Sequence, residues 1–226
     1  MRLFPEPGPN LPQFSALLVH GPYHPSAPIH LCLSMAPGDK AMLLTPSRQL
    51  LSDCLRNYND EWINSYSGTG AIANLSPGTS IFYPPTPRHL VALLSMLRTH
   101  NISTSAPVDP KATIDVTPTL LILHEPSTYF LPEAEDQPHT VSSYLLLITH
   151  ALASVEFLAS KDPNSPPISL VVFDSKLDQL KFPVLRAPPR SAFDEPEEPD
   201  EAPRPESVAF FTRKYFDMVG IFQSCP

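Results

Sequence analysis

Residues 20–28, HGPYHPSAP, carry the spacing in this chain that most resembles ligand chemistry. A phosphate-binding loop of the form GxxxxGK[ST] uses glycines so that amides converge on phosphate oxygens. Its lysine neutralises the β/γ charge and its hydroxyl binds magnesium. Gly21 takes the first position. Ser26 then falls where the second glycine belongs, Ala27 where the lysine belongs, and Pro28 where the hydroxyl belongs. Pro22, Pro25 and Pro28 also delete three amide donors from the loop that would need them. On residues alone this reads as a strand-ending turn and ATP hydrolysis is disfavoured; the alternatives are a nucleotide-dependent enzyme with an unorthodox site, using Glu125 or Asp174 for magnesium, and a plain α/β scaffold domain.

The second half of such a site is an acid at the end of a central apolar strand. TLLILHE (119–125) supplies the strand, with His124 at the acid's position and Glu125 one place later. On extended backbone that offset sends the Glu125 side chain to the opposite face, so Glu125 is expected to miss the loop. His20, His24 and His30, with Glu125 and Asp174, raise a metal reading. Histidines spaced four and six apart across a proline turn are not a known ligand pattern, however. The default is exposed or capping histidines, and no metal is expected. Ser-His-acid catalysis needs G-x-S-x-G at a strand–helix turn; YSGTG follows no apolar strand. Tyr58, Trp62 and Tyr66 could stack on bases, but the Leu/Cys stripe beside them favours a core or partner face. No catalytic residue and no cofactor are expected.

The elements that must position these residues alternate. Short apolar runs at 16–19, 40–45, 80–84, 119–125 and 168–175 read as strands, with 217–223 as a terminal one. Helical patterns cover 47–63, 85–100, 139–161 and 206–216, and 29–36 fits either type. Residues 63–80, dense in Ser-Gly, Thr-Gly and Pro-Gly, read as a loop. Strands apolar on both faces and separated by helices predict an α/β fold with a mostly parallel sheet. Ligands of such sheets sit at the carboxyl ends of the strands, here residues 20–28, 45–47, 84–87, 124–130 and 174–178.

Composition bounds the rest. The 226 residues hold 30 prolines but only 7 glycines, which leaves little material for backbone anion cradles. Net charge is −8, and residues 187–206 carry −5 of it through seven acids against two arginines. No basic stripe is present, and Lys176, Lys181 and Arg186 are scattered, so DNA contact is expected only through partners. Cys32, Cys54 and Cys225 are widely spaced, which disfavours a disulfide framework or zinc site. The first twenty residues lack a signal-peptide pattern, and no apolar stretch is expected to span a bilayer. The expected organisation is a loose Pro-rich segment (1–14), one core (15–186), an acidic Pro-rich linker of disordered composition (187–206) and a closing helix and strand (207–226).

KAMLLTPSRQL, SIFYPPTPRHLVALLSML and PTLLILHEPSTYFLPEAEDQPHTVSSYLLLITHALASVEFLA, together with FFTRKYFDMVGIFQ, resemble in order the RecA-fold ATPase-like subunit of Shu complexes. That subunit is a diverged recombinase paralogue and the partner of a SWIM-domain protein. The Tyr83-Pro84-Pro85 turn with its Leu-rich helix is the most distinctive piece. The resemblance implies a RecA-like sheet and a nuclear role in homologous recombination, assisting recombinase filament assembly. It makes Gly21, Ser26, Ala27 and Pro28 vestiges of the phosphate loop, and His124 and Glu125 vestiges of the magnesium acid. Partner contacts are expected at Trp62, Phe210, Phe211, Tyr215 and Phe216.

Overall fold

A computed structural model describes residues 1–5, 7–99, 113–114, 116–131, 139–160, 167–184 and 204–223. In chain order the elements begin with strand β1 (Ala16–His20), helix α1 (Ala27–Leu33), β2 (Ala41–Leu44) and helices α2 (Arg48–Tyr58), α3 (Glu61–Tyr66) and α4 (Gly70–Leu75). Next come β3 (Thr79–Phe82), α5 (Pro87–Met96), β4 (Arg98–Thr99), β5 (Thr113–Ile114), β6 (Leu120–His124) and α6 (Val141–Ala159). The chain closes with β7 (Ser169–Asp174), β8 (Lys181–Pro183), β9 (Pro205–Ser207), α7 (Val208–Thr212) and β10 (Met218–Ile221).

Six strands form one sheet in the order β10-β1-β7-β6-β2-β3, and every pairing in it is parallel. Helices flank it, giving the expected α/β fold with a RecA-like central sheet. The apolar runs are continuous because both faces are covered. Leu18, Met42, Leu44, Leu121, Leu123, Leu170 and Val172 face α5, α6 and α7. Their alternates Leu17, Val19, Leu43, Ile122, Val171 and Phe173 face α1 and α2. Each buried Leu, Val, Ile or Phe contributes about 1.5–3 kcal/mol relative to exposure, so the central strands anchor the fold. β10 is locked beside β1 by Asp217, whose carboxylate accepts from Ser15 N (2.8 Å), Ser15 Oγ (2.9 Å) and Ala16 N (2.9 Å).

α6 is long and apolar enough to cross a membrane by length and composition. Tyr144, Leu147, Ile148 and Ala151 nevertheless sit buried in the sheet's core. Its start is set by a capping box between Thr140 and Ser143. α5 begins as expected, with Thr86 as cap and Pro87 in the first turn.

Several local expectations change. Residues 27–33 are helical. The helix read over 47–63 is two helices, because Asn59 turns left-handed (φ 41) and Asp60 caps the next one. The loop read over 63–80 contains the end of α3 and all of α4. Over 206–216 only 208–212 is α-helical, after a short strand and before a 3-10 turn. The N-terminal segment, read as loose, packs Leu3 and Phe14 into the core. The acidic linker as far as residue 203, Arg186 and Cys225 lie outside the described residues.

Candidate functional site

Since β1, β7 and β6 are neighbours and parallel, the segments leaving their carboxyl ends converge. These are the loop 21–28, the 3-10 turn Pro126–Phe130 and the 3-10 turn Leu177–Gln179. This is where such a sheet would hold a ligand.

Gly21 is required where it stands. Its φ is +89, and a Cβ there would lie 2.0 Å from the carbonyl oxygen of Phe222. The terminal strand runs on past Gly21, with Phe222 N donating to His20 O at 2.9 Å. Beyond Gly21 the amides turn inward. Tyr23 N donates to Gly21 O (2.8 Å), Ala27 N to His24 O (2.8 Å), and Ser26 N points at His24 Nδ1 (3.3 Å). With three prolines donating nothing, six of the eight positions from 21 to 28 present no amide to a phosphate. Ala27 and Pro28, the lysine and hydroxyl positions, are buried in the first turn of α1.

Tyr23 fills the centre. Its buried ring lies 5.2 Å from the Phe173 ring and 6.5 Å from the His124 ring, and its hydroxyl donates to Glu125. Glu125 reaches it because its own backbone is left-handed (φ 53, ψ 47), not extended. The expectation that Glu125 points away is therefore overturned: the one-residue offset is undone by that turn. Ser175 N (3.1 Å) and Ser175 Oγ (2.9 Å) complete the carboxylate's partners. His124, at the acid's position, is also buried. It pairs with Thr45 Oγ1 through Nδ1 (3.0 Å), and burial pushes its pKa down.

Asp174, the last residue of β7, is fully buried. Its oxygens accept from Ser127 N (3.0 Å), Tyr144 OH (2.8 Å) and Lys176 N (3.2 Å). Burial, then the nearby Glu125 charge, push its pKa well above the usual carboxylate range. The same two causes raise Tyr23. An anionic ligand here would meet these two carboxyl groups, while residues 20–28 offer no lysine or arginine. Protein donors already engage Glu125 and Asp174. Among the described residues no group of three or more His, Cys, Asp or Glu is placed to hold a metal ion.

A second carboxylate grips the loop from the other side. Asp60 accepts from Ser26 Oγ, lies 2.7 Å from His30 Nε2, and caps α3 through Ile63 N at 2.9 Å. Burial raises its pKa, but the Ser26, Ile63 and His30 bonds outweigh that and hold it down at about 2. Ser26 Oγ also lies 2.6 Å from His24 Nδ1, and the residue is buried and donates to Asp60. Against the expectation of exposed or capping histidines, His30 and His20 are buried, each paired with an aspartate. His20 Nδ1 donates to Asp178 (2.8 Å), and Arg213 reaches the other Asp178 oxygen at 3.6 Å. His20 Nε2 and Ser127 Oγ are buried without a partner.

The expected partner residues separate. Phe210 is 59 % exposed and Tyr215 40 %, with Lys214 Nζ 4.6 Å above the Phe210 ring. Phe211 is half-buried against Phe210. Phe216 packs into the core and is withdrawn from any docking face. Trp62 is half-buried, edge-on to His30 (5.2 Å) and beside Tyr66 (5.4 Å). Sequence reading missed Tyr23 and Asp60. Asp60 had a signal, an Asn-Asp pair before Glu-Trp that suits a helix cap; Tyr23 had none.

The chain matches no family model and no curated protein.

Proposed function

We propose that this chain is a non-catalytic RecA-like subunit of a homologous-recombination accessory complex of the Shu type. It acts in the nucleus as a docking platform for a SWIM-domain protein and recombinase paralogues. The observation that carries the non-catalytic part is the Tyr23–Glu125 pair, which occupies the carboxyl end of the sheet where a nucleotide would lie. The resemblance of the Tyr83-Pro84-Pro85 helix segment and the long α6 region carries the recombination part. The acidic chain reaches DNA through its partners, since its net charge of −8 repels phosphate. Phe210 and Tyr215 offer exposed aromatic area of the kind that anchors interfaces.

Affinity purification of the tagged full chain from its own cells tests this. A SWIM-domain protein and a recombinase paralogue are expected in comparable molar amounts, with the complex weakened in Phe210→Ala/Tyr215→Ala. Purification of the chain without either removes the recombination reading.

A further inference from the structure

Between the N-terminal segment, α1, α3 and α4 lies a cavity of about 470 Å³. Its volume falls within the range of small-molecule sites, which are concave and mostly apolar. Phe4, Leu33, Ile72 and Leu75 give it apolar walls, and Trp62 lines it as well. Trp62 is fixed on two sides, with the His30 ring edge-on at 5.2 Å and the Tyr66 ring at 5.4 Å.

The polar groups of the lining are engaged with the protein. Arg2 donates from its amide to Ser34 Oγ (2.9 Å) and from Nε to Asn10 Oδ1 (2.8 Å). Ser34 Oγ donates in turn to Leu31 O (2.8 Å). His30 is held through Nε2 by Asp60 at 2.7 Å. A charged guest would give up its water for groups already in use, a cost that a neutral guest does not meet. Ring on ring adds attraction beyond the apolar area removed from water, and Trp62 and Phe4 supply the rings.

We propose that this cavity binds a small neutral aromatic molecule, packed against Trp62. No charge on Arg2, or on Glu6, which lies outside the described residues, is needed to hold such a molecule. The proposal is independent of the recombination reading and of the filled nucleotide position.

Trp62 is the only tryptophan in the chain, so its emission reports on this pocket. The full chain is titrated with phenylnaphthylamine, a neutral probe, and with anilinonaphthalene sulfonate, its anionic counterpart. The neutral probe is expected to saturate at one per chain, quenching Trp62 with energy transfer to the probe. The sulfonate should bind at least about tenfold more weakly, because its charge finds no free partner. Neutral 1-naphthol should displace the probe, and its saturated counterpart decahydronaphthol should do so about fivefold less well. Leu75→Phe and, separately, Leu33→Phe add bulk to the walls and should each weaken the probe, while Arg2→Gln should leave it unchanged. Binding that does not saturate, several probes per chain, or Trp62 emission that does not respond overturns the proposal. So does a sulfonate that binds as tightly as the neutral probe, or decahydronaphthol that competes as well as 1-naphthol.

Discussion

Two aspartates near the carboxyl end of the sheet sit under opposite electrostatic conditions: Asp60 holds the loop through Ser26, and Asp174 lies beneath it in the core beside Glu125, which holds Tyr23. Asp60 lies near the surface and gathers donors from Ser26, His30 and the Ile63 amide; it stays ionised down to about pH 2. Asp174 lies in the interior, also with three donors, but it is fully buried beside a second carboxyl group, Glu125, and it holds its proton above the usual range. The difference shows that the loop's polar groups are spent inside the protein. A phosphate loop presents amides and a cation to a ligand; this one presents a tyrosine to one acid and a serine to another. Its hydrogen bonds close within the protein.

The two sides are expected to differ in how much stability they hold. Tyr23→Ala empties the buried space over Phe173 and leaves Glu125 without its phenol, and should cost about 3–5 kcal/mol in urea unfolding. Asp174→Ala strands the Tyr144 hydroxyl and the Ser127 amide in the core, and should cost about 3 kcal/mol. Asp60→Ala loses a helix cap and the Ser26 bond nearer the surface; about 1–2 kcal/mol is expected. Equal losses for Asp174→Ala and Asp60→Ala would erase the distinction between the two sides.

The pH dependence sharpens the comparison, because the signs oppose. Asp60 has a folded pKa below its unfolded value, so its contribution is present above pH ~4 and is lost as pH falls toward about 2. Asp174 has a folded pKa above its unfolded value. Its contribution is complete at acid pH and is lost as pH climbs from the usual carboxylate range through its raised value. Stability measured by urea midpoint against pH should therefore fall at both ends of the acid-to-neutral range. Asp60→Asn should flatten the acid limb and Asp174→Asn the neutral limb; the reverse pairing contradicts the assignment.

The sheet was legible because burial on both faces writes itself as unbroken apolar runs: LLILH and SLVVFD could only be central strands. α5 was legible through Thr86, Pro87 and the leucines that follow. The break at Asn59 was not, because the apolar spacing from Leu51 to Trp62 continues across it, and a single left-handed residue leaves no mark on periodicity. Glu125 was misread for the same reason. The two-residue alternation holds only on extended backbone, and that residue leaves it. Tyr23 was invisible because the loop motif specifies glycines and a lysine and says nothing of a side chain that folds back over the sheet. The missing lysine and hydroxyl were plain in the sequence; what replaced them was a matter of tertiary geometry.

The central claim is that the chain's own Tyr23 and Glu125 take the place of a nucleotide. Equilibrium dialysis of the full chain against labelled ATP with magnesium tests it most directly. The account predicts no saturable binding up to millimolar ATP. Stoichiometric, magnesium-dependent binding in the micromolar range would contradict it.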